Sequence, residues 1–178
     1  MSKSTTPTKD KQGEYIRPES GFRNWITSDG STGFKAEQYR YHLYVSLGCP
    51  WAHRTLIVRK LKGLEKVITV DIVDWLLEKE GWKFTDQKPM TTLDTVNNCT
   101  FLSQIYAISD PNYKGRWTVP VLFDKITKKI VNNESSEIIR MLNSEFNEFC
   151  ETKEQQNLDL YPEELRERID KVNQWVYR

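Results

Sequence analysis

The stretch Cys49-Pro-Trp-Ala52 joins an apolar, strand-like run from Tyr41 to Leu47 to a helix-like run from Trp51 to Lys62. Apolar residues recur at helical spacing through the second run, and Gly63 suits the left-handed position that ends a helix. The β-branched run from Val67 to Val73 then predicts a second strand. Strand, helix and strand at this spacing form a βαβ unit with parallel strands and a right-handed crossover.

Cys49 is therefore predicted to lie at the start of a helix, where unpaired N–H groups and the positive end of the peptide dipole stabilise a thiolate. Pro50 fits the first helical position, because the N–H that proline lacks would be unpaired there. Ala52 stands where a dithiol redox site has its second cysteine, so a thiol that resolves a disulfide at Cys49 must come from outside the chain. The alternative is an inert core cysteine, which is the commoner role of a free thiol.

The remaining segments complete an α/β pattern. A polar, irregular loop is predicted from Trp75 to Cys99, followed by a helix over 100–108. A β-hairpin over 119–123 and 129–131 comes next, and then a helix over 134–142 whose N-cap is predicted to be Asn133. This order predicts a thioredoxin-like domain. We expect a disordered tail over residues 1–12, an ordered extension over 13–37 and the thioredoxin-like domain over 38–145. A linker over 146–160 should follow. Residues 161–178 are expected to form the first helix of an incomplete all-α domain, with an exposed apolar stripe.

Val119-Pro120 is the second feature that indicates a ligand site. Proline inside a strand removes a ladder hydrogen bond, so its presence needs a reason. In a thioredoxin-like fold a cis proline at this position lies opposite the Cys-Pro turn and leaves the preceding N–H and C=O available to a peptide-like ligand. A trans proline on an edge strand is the alternative, and the sequence leaves the isomer open.

Glu134 and Ser135 open the helix that follows the hairpin. A helix N-terminus binds a carboxylate through its free N–H groups, Ser135 can add a hydroxyl donor, and Glu134 can accept from an α-ammonium. The turn therefore suits the γ-glutamyl end of glutathione, although an ordinary helix cap has the same composition. Trp82 and Arg116 are candidates for an aromatic wall and for a cation that meets the ligand's other carboxylate. The alternative role of Trp82 is to anchor the loop, and that of Arg116 is a solvated surface charge.

Composition excludes several other functions. The 178 residues carry 26 Lys and Arg against 25 Asp and Glu, a net charge of +1, so no electrostatic footprint for nucleic acid or an anionic membrane is present. No apolar run approaches the length of a membrane span, and the first residues have no apolar stretch typical of a secretory signal. The three widely spaced cysteines indicate neither a disulfide framework nor a metal site, and they favour a reducing, cytoplasmic location.

Six blocks carry a resemblance to a known family. They are Phe22-Arg-Asn-Trp-Ile26, Tyr44-Val-Ser-Leu-Gly-Cys-Pro-Trp-Ala-His-Arg-Thr-Leu56, Glu80-Gly-Trp-Lys-Phe84, Ser109-Asp-Pro-Asn-Tyr113, Arg116-Trp-Thr-Val-Pro-Val-Leu122 and Ile130-Val-Asn-Asn-Glu-Ser-Ser-Glu-Ile-Ile-Arg140. From about Gly13 onward the chain resembles the xi-class, omega-like glutathione transferases, also called glutathionyl-hydroquinone reductases. Members of that family continue beyond the Gln174-to-Tyr177 region for a whole helical domain, so we expect the chain to be a fragment or a short form.

The resemblance implies a nucleophile at Cys49, supported by Pro50, Trp51 and Pro120. It implies glutathione as co-substrate, bound by Trp82, Arg116, Trp117, Thr118, Val119, Glu134 and Ser135, with glutathionylated quinol-type molecules as substrates and a homodimer in full-length relatives. The implied reaction releases a hydroquinone and leaves a Cys49–glutathione mixed disulfide, which a second glutathione resolves. The alternatives are a general omega-like thioltransferase or dehydroascorbate reductase, and a truncated, non-catalytic glutathione-binding module.

Overall fold

A computed structural model describes residues 8–9, 13, 15–16 and 19–176. Its strands are β1 (Thr8–Lys9), β2 (Tyr15–Ile16), β3 (Tyr41–Val45), β4 (Thr69–Ile72), β5 (Leu77–Glu78), β6 (Gly81–Trp82), β7 (Val121–Asp124) and β8 (Lys129–Asn132). Its α-helices are α1 (Pro50–Leu61), α2 (Leu102–Ser109), α3 (Ser135–Ser144), α4 (Lys153–Asn157) and α5 (Arg166–Val176). Most of the tail expected to be disordered lies outside the described residues, but β1, which belongs to the tail, pairs antiparallel with β2 in the extension.

Strands β4, β3, β7 and β8 form one sheet in that order. The β3–β4 pair is parallel, whereas β3–β7 and β7–β8 are antiparallel. All five residues of β3 are buried, as expected for a central strand covered on both faces. The βαβ unit followed by a helix, a hairpin and a helix confirms the predicted thioredoxin-like fold, and further helices follow it.

Strand direction decides where the helices begin. Because β7 is antiparallel to both β3 and β8, these two strands run the same way. Strand β3 leads into α1 and β8 leads into α3, so both helices start at the same edge of the sheet. The two helices also pack against each other. The fold thus brings together two helix N-termini that are far apart in the sequence.

The ends of α1 and α3 show one success and one error of the sequence prediction. Gly63 has φ +64°, and the α1 helix ends before it, as predicted. The N-cap of α3 is Glu134, however, and not Asn133. The Asn133 side chain turns into the interior instead, where its Oδ1 accepts from the Phe22 N–H at 3.1 Å and its Nδ2 donates to the Tyr106 hydroxyl at 2.9 Å. These tertiary hydrogen bonds replace the capping bond that the Asn133 side chain was predicted to make to the helix.

Two other regions contain more regular structure than the sequence predicted. The long loop after β4 includes the β5–β6 hairpin, in which Leu77 pairs with Trp82. The expected linker contains a 3-10 turn, Asn147–Phe149, and α4, whose N-cap Thr152 accepts from the Gln155 N–H at 3.2 Å. Short polar helices held by local caps carry little apolar periodicity, which explains why the pattern predicted only a linker.

The C-terminal prediction holds in part. A 3-10 turn, Glu163–Leu165, precedes α5, so the helix begins later than expected. Val172 and Trp175 are 48% and 67% exposed, whereas Ile169 is half-buried. Within residues 19–176 and the short described segments before them, no helix is both long and apolar enough to cross a membrane.

Candidate active site

Cys49 is the N-cap of α1, with extended backbone angles of φ −105° and ψ 114°. Its carbonyl accepts the N–H of His53 at 2.9 Å, which starts the helical ladder, and Pro50 occupies the first turn as predicted. The first turn of α1 holds no acidic residue that would oppose a thiolate. The thiol is half-buried, so the structure keeps it at the surface end of the helix and not in the core.

The Cys49 thiol faces the segment before β7. Its Sγ lies 3.8 Å from the carbonyl oxygen of Val119, and the Val119–Pro120 peptide bond is cis. Within residues 19–176 the Val119 N–H has no hydrogen-bond partner. The cis proline therefore lies opposite the Cys-Pro turn. The sequence could not distinguish a cis from a trans bond here, and the structure has the cis isomer.

Thr118 is bound by its neighbours inside the fold. Its carbonyl oxygen accepts from the Tyr106 hydroxyl at 2.9 Å, and its own N–H donates back to that hydroxyl at 3.2 Å. Burial raises the pKa of Tyr106 to about 12, so this phenol stays protonated and can act as a fixed donor. These bonds hold the cis-proline segment in place.

The start of α3 forms the second half of the site. The Glu134 carboxylate caps the helix by accepting from the Ser136 N–H at 3.1 Å, and it also accepts from the Ser20 hydroxyl at 3.1 Å. The Glu134 side chain remains 20% exposed, whereas Ser135 is buried. The N-terminal extension thus reaches the start of α3 through Ser20, and Glu134 and Ser135 both lie at this helix end.

Arg54 links the two helix N-termini and was missed by the sequence analysis. It lies about one turn along α1 from Cys49, donates to the Ser135 hydroxyl oxygen from Nε and Nη2, and places Nη2 3.7 Å from the Glu134 carboxylate. Its guanidinium also lies 5.1 Å from the ring centroid of Trp51. An arginine in a helix has no sequence signal that reveals its distant partner, so only the packing of α1 on α3 could identify it.

The three remaining predicted ligand residues lie on the β5–β6 hairpin and on the segment that leads to the cis proline. Trp82 ends the β5–β6 hairpin and is half-buried. The ring of Trp117 packs beside the same hairpin, because a Cβ on Gly81 would come within 3.2 Å of it. Arg116 is half-buried three residues before Val119, and its carbonyl accepts from the Tyr113 hydroxyl at 3.0 Å. The structure therefore places all three in or against the loops that lead to the cis proline and the hairpin.

The other two thiols have different surroundings. Burial and the nearby Asp94 carboxylate raise the pKa of the Cys99 thiol to about 11. Burial also raises the pKa of Cys150, although Lys62 opposes the shift. Both groups therefore stay protonated near neutral pH, which disfavours them as nucleophiles.

A cavity of about 370 Å³ lies away from this centre, along the C-terminal half of α3 beside Arg140, Asn143 and Tyr161. It contains none of the predicted site residues. Across the described part of the chain, no group of three or more His, Cys, Asp or Glu side chains is arranged to hold a metal ion. The centre itself combines the Cys49 sulfur with two helix N-termini, and this arrangement supports exchange at that sulfur.

Comparison with known proteins gives consistent results. The family described as "Glutathione S-transferase, N-terminal domain" matches residues 48–145. The glutathionyl-hydroquinone reductase YqjG of Escherichia coli is 51% identical over an alignment of 176 residues that covers 96% of this chain and 52% of that protein. Its glutathione-bound structure superposes with a TM-score of 0.82 at 52% identity, covering 88% of this chain and 52% of that one.

The crystal structure of glutathione S-transferase Xi from Phanerochaete chrysosporium is also similar. It has a TM-score of 0.87 and 52% identity, and the match covers 92% of this chain and 54% of that one. The chain therefore spans about half the length of the relatives that it matches.

Proposed function

Because this chain belongs to the glutathione S-transferase family through its N-terminal domain, we propose that it is a glutathione-dependent thiol transferase that reduces glutathionyl-hydroquinones. A second glutathione would resolve the Cys49–glutathione mixed disulfide. The xi-class and glutathionyl-hydroquinone reductase names of its relatives support this substrate class. The reaction needs reduced glutathione, so the proposal includes a reducing compartment such as the cytoplasm, and it includes the homodimer that the resemblance implies for full-length relatives.

One observation carries the proposal: Cys49 is the N-cap residue of α1, and its thiol faces the carbonyl of the cis Val119–Pro120 peptide bond. Val119 offers a bound peptide both an N–H and a C=O, and these groups can pair with the cysteinyl residue of glutathione. This pairing holds the ligand's sulfur close to Cys49, and such positioning removes much of the entropic barrier to exchange.

The γ-glutamyl end of glutathione would bind at the start of α3. Glu134 accepts from the ligand's α-ammonium, and the ligand's α-carboxylate accepts from the Ser135 hydroxyl at the positive end of the α3 dipole. Val119 binds the middle of the ligand, and Trp82, Arg116, Trp117 and Thr118 complete the proposed set around its glycyl end and the cis-proline loop.

In the first step the Cys49 thiolate attacks the glutathionyl sulfur of the substrate. An S–S bond forms while the bond from sulfur to the aryl carbon breaks. The bonding electron pair goes to the aryl carbon, which takes up a proton and leaves as part of the free hydroquinone. Sulfur is thereby oxidised and the ring is reduced by the same two electrons.

In the second step the thiolate of another glutathione attacks the glutathione sulfur of the mixed disulfide. Glutathione disulfide leaves, and the Cys49 thiolate is regenerated. The proton lost by this glutathione balances the proton taken up by the aryl carbon. Ala52 makes the external thiol necessary, because the chain has no cysteine at the position from which a dithiol site would resolve the bond.

Intact-mass spectrometry after incubation with glutathionyl-menadiol tests the proposal directly. We expect one glutathione adduct on the wild-type protein, released menadiol in equal amount, and no adduct on Cys49→Ser. A protein that gains the adduct from glutathione disulfide but not from glutathionyl-menadiol would instead be a general omega-like thioltransferase. A protein that binds glutathione and forms neither adduct would be a non-catalytic binding module.

A further inference from the structure

Trp75 lies beside the Cys49 turn, although nothing in the sequence pattern links the two residues. Strands β3 and β4 are parallel, so their C-terminal ends meet at one edge of the sheet, and β3 leads to Cys49 while β4 leads to Trp75. A Cβ on Gly48 would lie 3.8 Å from the Cβ of Trp75. Since neighbouring Cα atoms are about 3.8 Å apart, the Trp75 backbone lies within roughly 10 Å of that of Cys49.

The backbone that carries Trp75 is fixed by Asp74. The N–H of Asp74 donates to the Lys83 carbonyl at 2.8 Å, and its Oδ1 accepts the Leu76 N–H at 3.0 Å. Its Oδ2 accepts from the Lys88 ammonium at 2.6 Å, and this bond lowers the pKa of the buried Asp74 carboxyl. The residues on both sides of Trp75 are therefore held in place.

The ring of Trp75 nevertheless remains open to solvent. Trp75 is 53% exposed, and its neighbours Leu76 and Leu77 are 56% and 52% exposed. The Lys88 ammonium lies 5.1 Å from the centroid of the Trp75 ring. An exposed indole on a rigid backbone, with a cation against it, is pre-organised to stack on a second, electron-rich ring.

Resting on the proposed function, we propose that Trp75 is a specificity-determining residue that stacks on the aromatic ring of the glutathionyl-hydroquinone. That ring is bonded to the sulfur that Cys49 attacks, so it must lie near the Cys49 turn. A hydroquinone is electron-rich and gains further electron density as the bond to sulfur breaks. Trp75 contributes only when the substrate carries an aryl group.

The test compares ligands with and without the ring on wild-type protein, Trp75→Ala and Trp75→Phe. Calorimetry with glutathione and with S-benzylglutathione measures the gain in affinity from an unreactive aryl group. We expect Trp75→Ala to lose that gain, about tenfold for one aromatic pair, while its affinity for glutathione itself stays the same. Trp75→Phe should retain most of the gain. Trp175→Ala, an exposed tryptophan on α5, is the matched control and should behave as wild type.

Rates give a second readout. Trp75→Ala should slow adduct formation from glutathionyl-menadiol and leave the reaction with glutathione disulfide unchanged. The role of Trp75 would be overturned if Trp75→Ala kept the higher affinity for S-benzylglutathione over glutathione, or if it lost affinity equally for both ligands. If wild-type protein never releases menadiol but its preference for S-benzylglutathione over glutathione still depends on Trp75, then the proposed function is wrong and the aryl-binding role of Trp75 is retained.

Discussion

The guanidinium of Arg54 donates two hydrogen bonds to the hydroxyl oxygen of Ser135, from Nε at 3.1 Å and from Nη2 at 2.7 Å. A serine hydroxyl has two acceptor lone pairs and one donor hydrogen. Because both N–H groups of Arg54 occupy the acceptor side, the Ser135 hydrogen must point away from the guanidinium. Arg54 thereby makes Ser135 a donor toward any carboxylate bound at the start of α3.

Replacing Arg54 should therefore weaken ligand binding and leave the sulfur chemistry intact. We expect Arg54→Gln to reduce glutathione affinity by about 1–2 kcal/mol, the usual effect of losing a charged hydrogen-bond partner. The rate of mixed-disulfide formation at saturating ligand should change little. Calorimetry and single-turnover mass spectrometry measure the two quantities. Lys60→Gln, an exposed position on the same helix, is the control, and an unaltered affinity in Arg54→Gln would contradict this role.

Glu134 should separate ligand recognition from helix capping. Glu134→Gln keeps an oxygen for the Ser136 N–H but removes the charge that meets an α-ammonium. We expect it to weaken glutathione binding by about 1–3 kcal/mol with little change in the free energy of unfolding. Glu134→Ala should lose the same affinity and also about 1 kcal/mol of stability, the typical value of an N-cap. Binding by calorimetry and unfolding in urea test the pair, and equal binding by all three proteins would remove Glu134 from the site.

The three thiols should differ in reactivity. Burial raises the pKa of Cys99 to about 11 and also raises that of Cys150, so both form little thiolate near neutral pH. Cys49 should therefore take up iodoacetamide first between about pH 7 and 8, since the thiolate is the reactive form. Peptide mapping over time measures the three rates, and Cys49→Ser should remain unlabelled while the wild type reacts. Labelling of Cys99 as fast as Cys49 would show that burial does not decide reactivity here.

Asp71 should be a determinant of stability. It is buried on β4, its Oδ2 accepts the Thr95 N–H at 2.7 Å, and the same oxygen lies 3.1 Å from His42 Nε2. Asp71→Ala leaves these buried partners unpaired, so we expect a loss of about 2–4 kcal/mol in the free energy of unfolding. Thr95→Ala, which removes only the hydroxyl that donates to Asp71 at 2.9 Å, should cost less.

The contribution of Asp71 should also depend on pH. Burial acts to raise the pKa of Asp71, but the nearby His42 imidazole and the hydrogen bonds from Thr95 outweigh it, and the pKa falls below its usual value. A carboxyl whose pKa is lowered by folding stabilises the protein above its unfolded pKa, about 3.9, and loses that effect as the pH falls through the folded pKa. The difference in the free energy of unfolding between wild type and Asp71→Ala should therefore begin to shrink near pH 4 and reach its minimum below the folded pKa. A difference that stays constant down to pH 2 would show that the carboxylate's charge is not involved.

The sequence by itself determined the local elements. The apolar run of β3, the β-branched run of β4, the helical spacing of α1 and Gly63 after it specify the βαβ unit, because each depends on residues only a few positions apart. The same holds for Cys49 at a helix start and for a helix that begins near Glu134. Hydrophobic periodicity and the steric preferences of proline and glycine act over such distances.

Tertiary structure decided how these elements meet. It fixed the Val119–Pro120 bond as cis, and it drew Asn133 inward to Tyr106, so that Glu134 became the cap. It also joined Arg54 to Ser135 across 81 residues and set Trp75 beside Gly48. Strand direction and helix packing bring these distant residues together, and both result from the burial of the whole sheet. A short stretch of sequence does not encode which distant residues will meet.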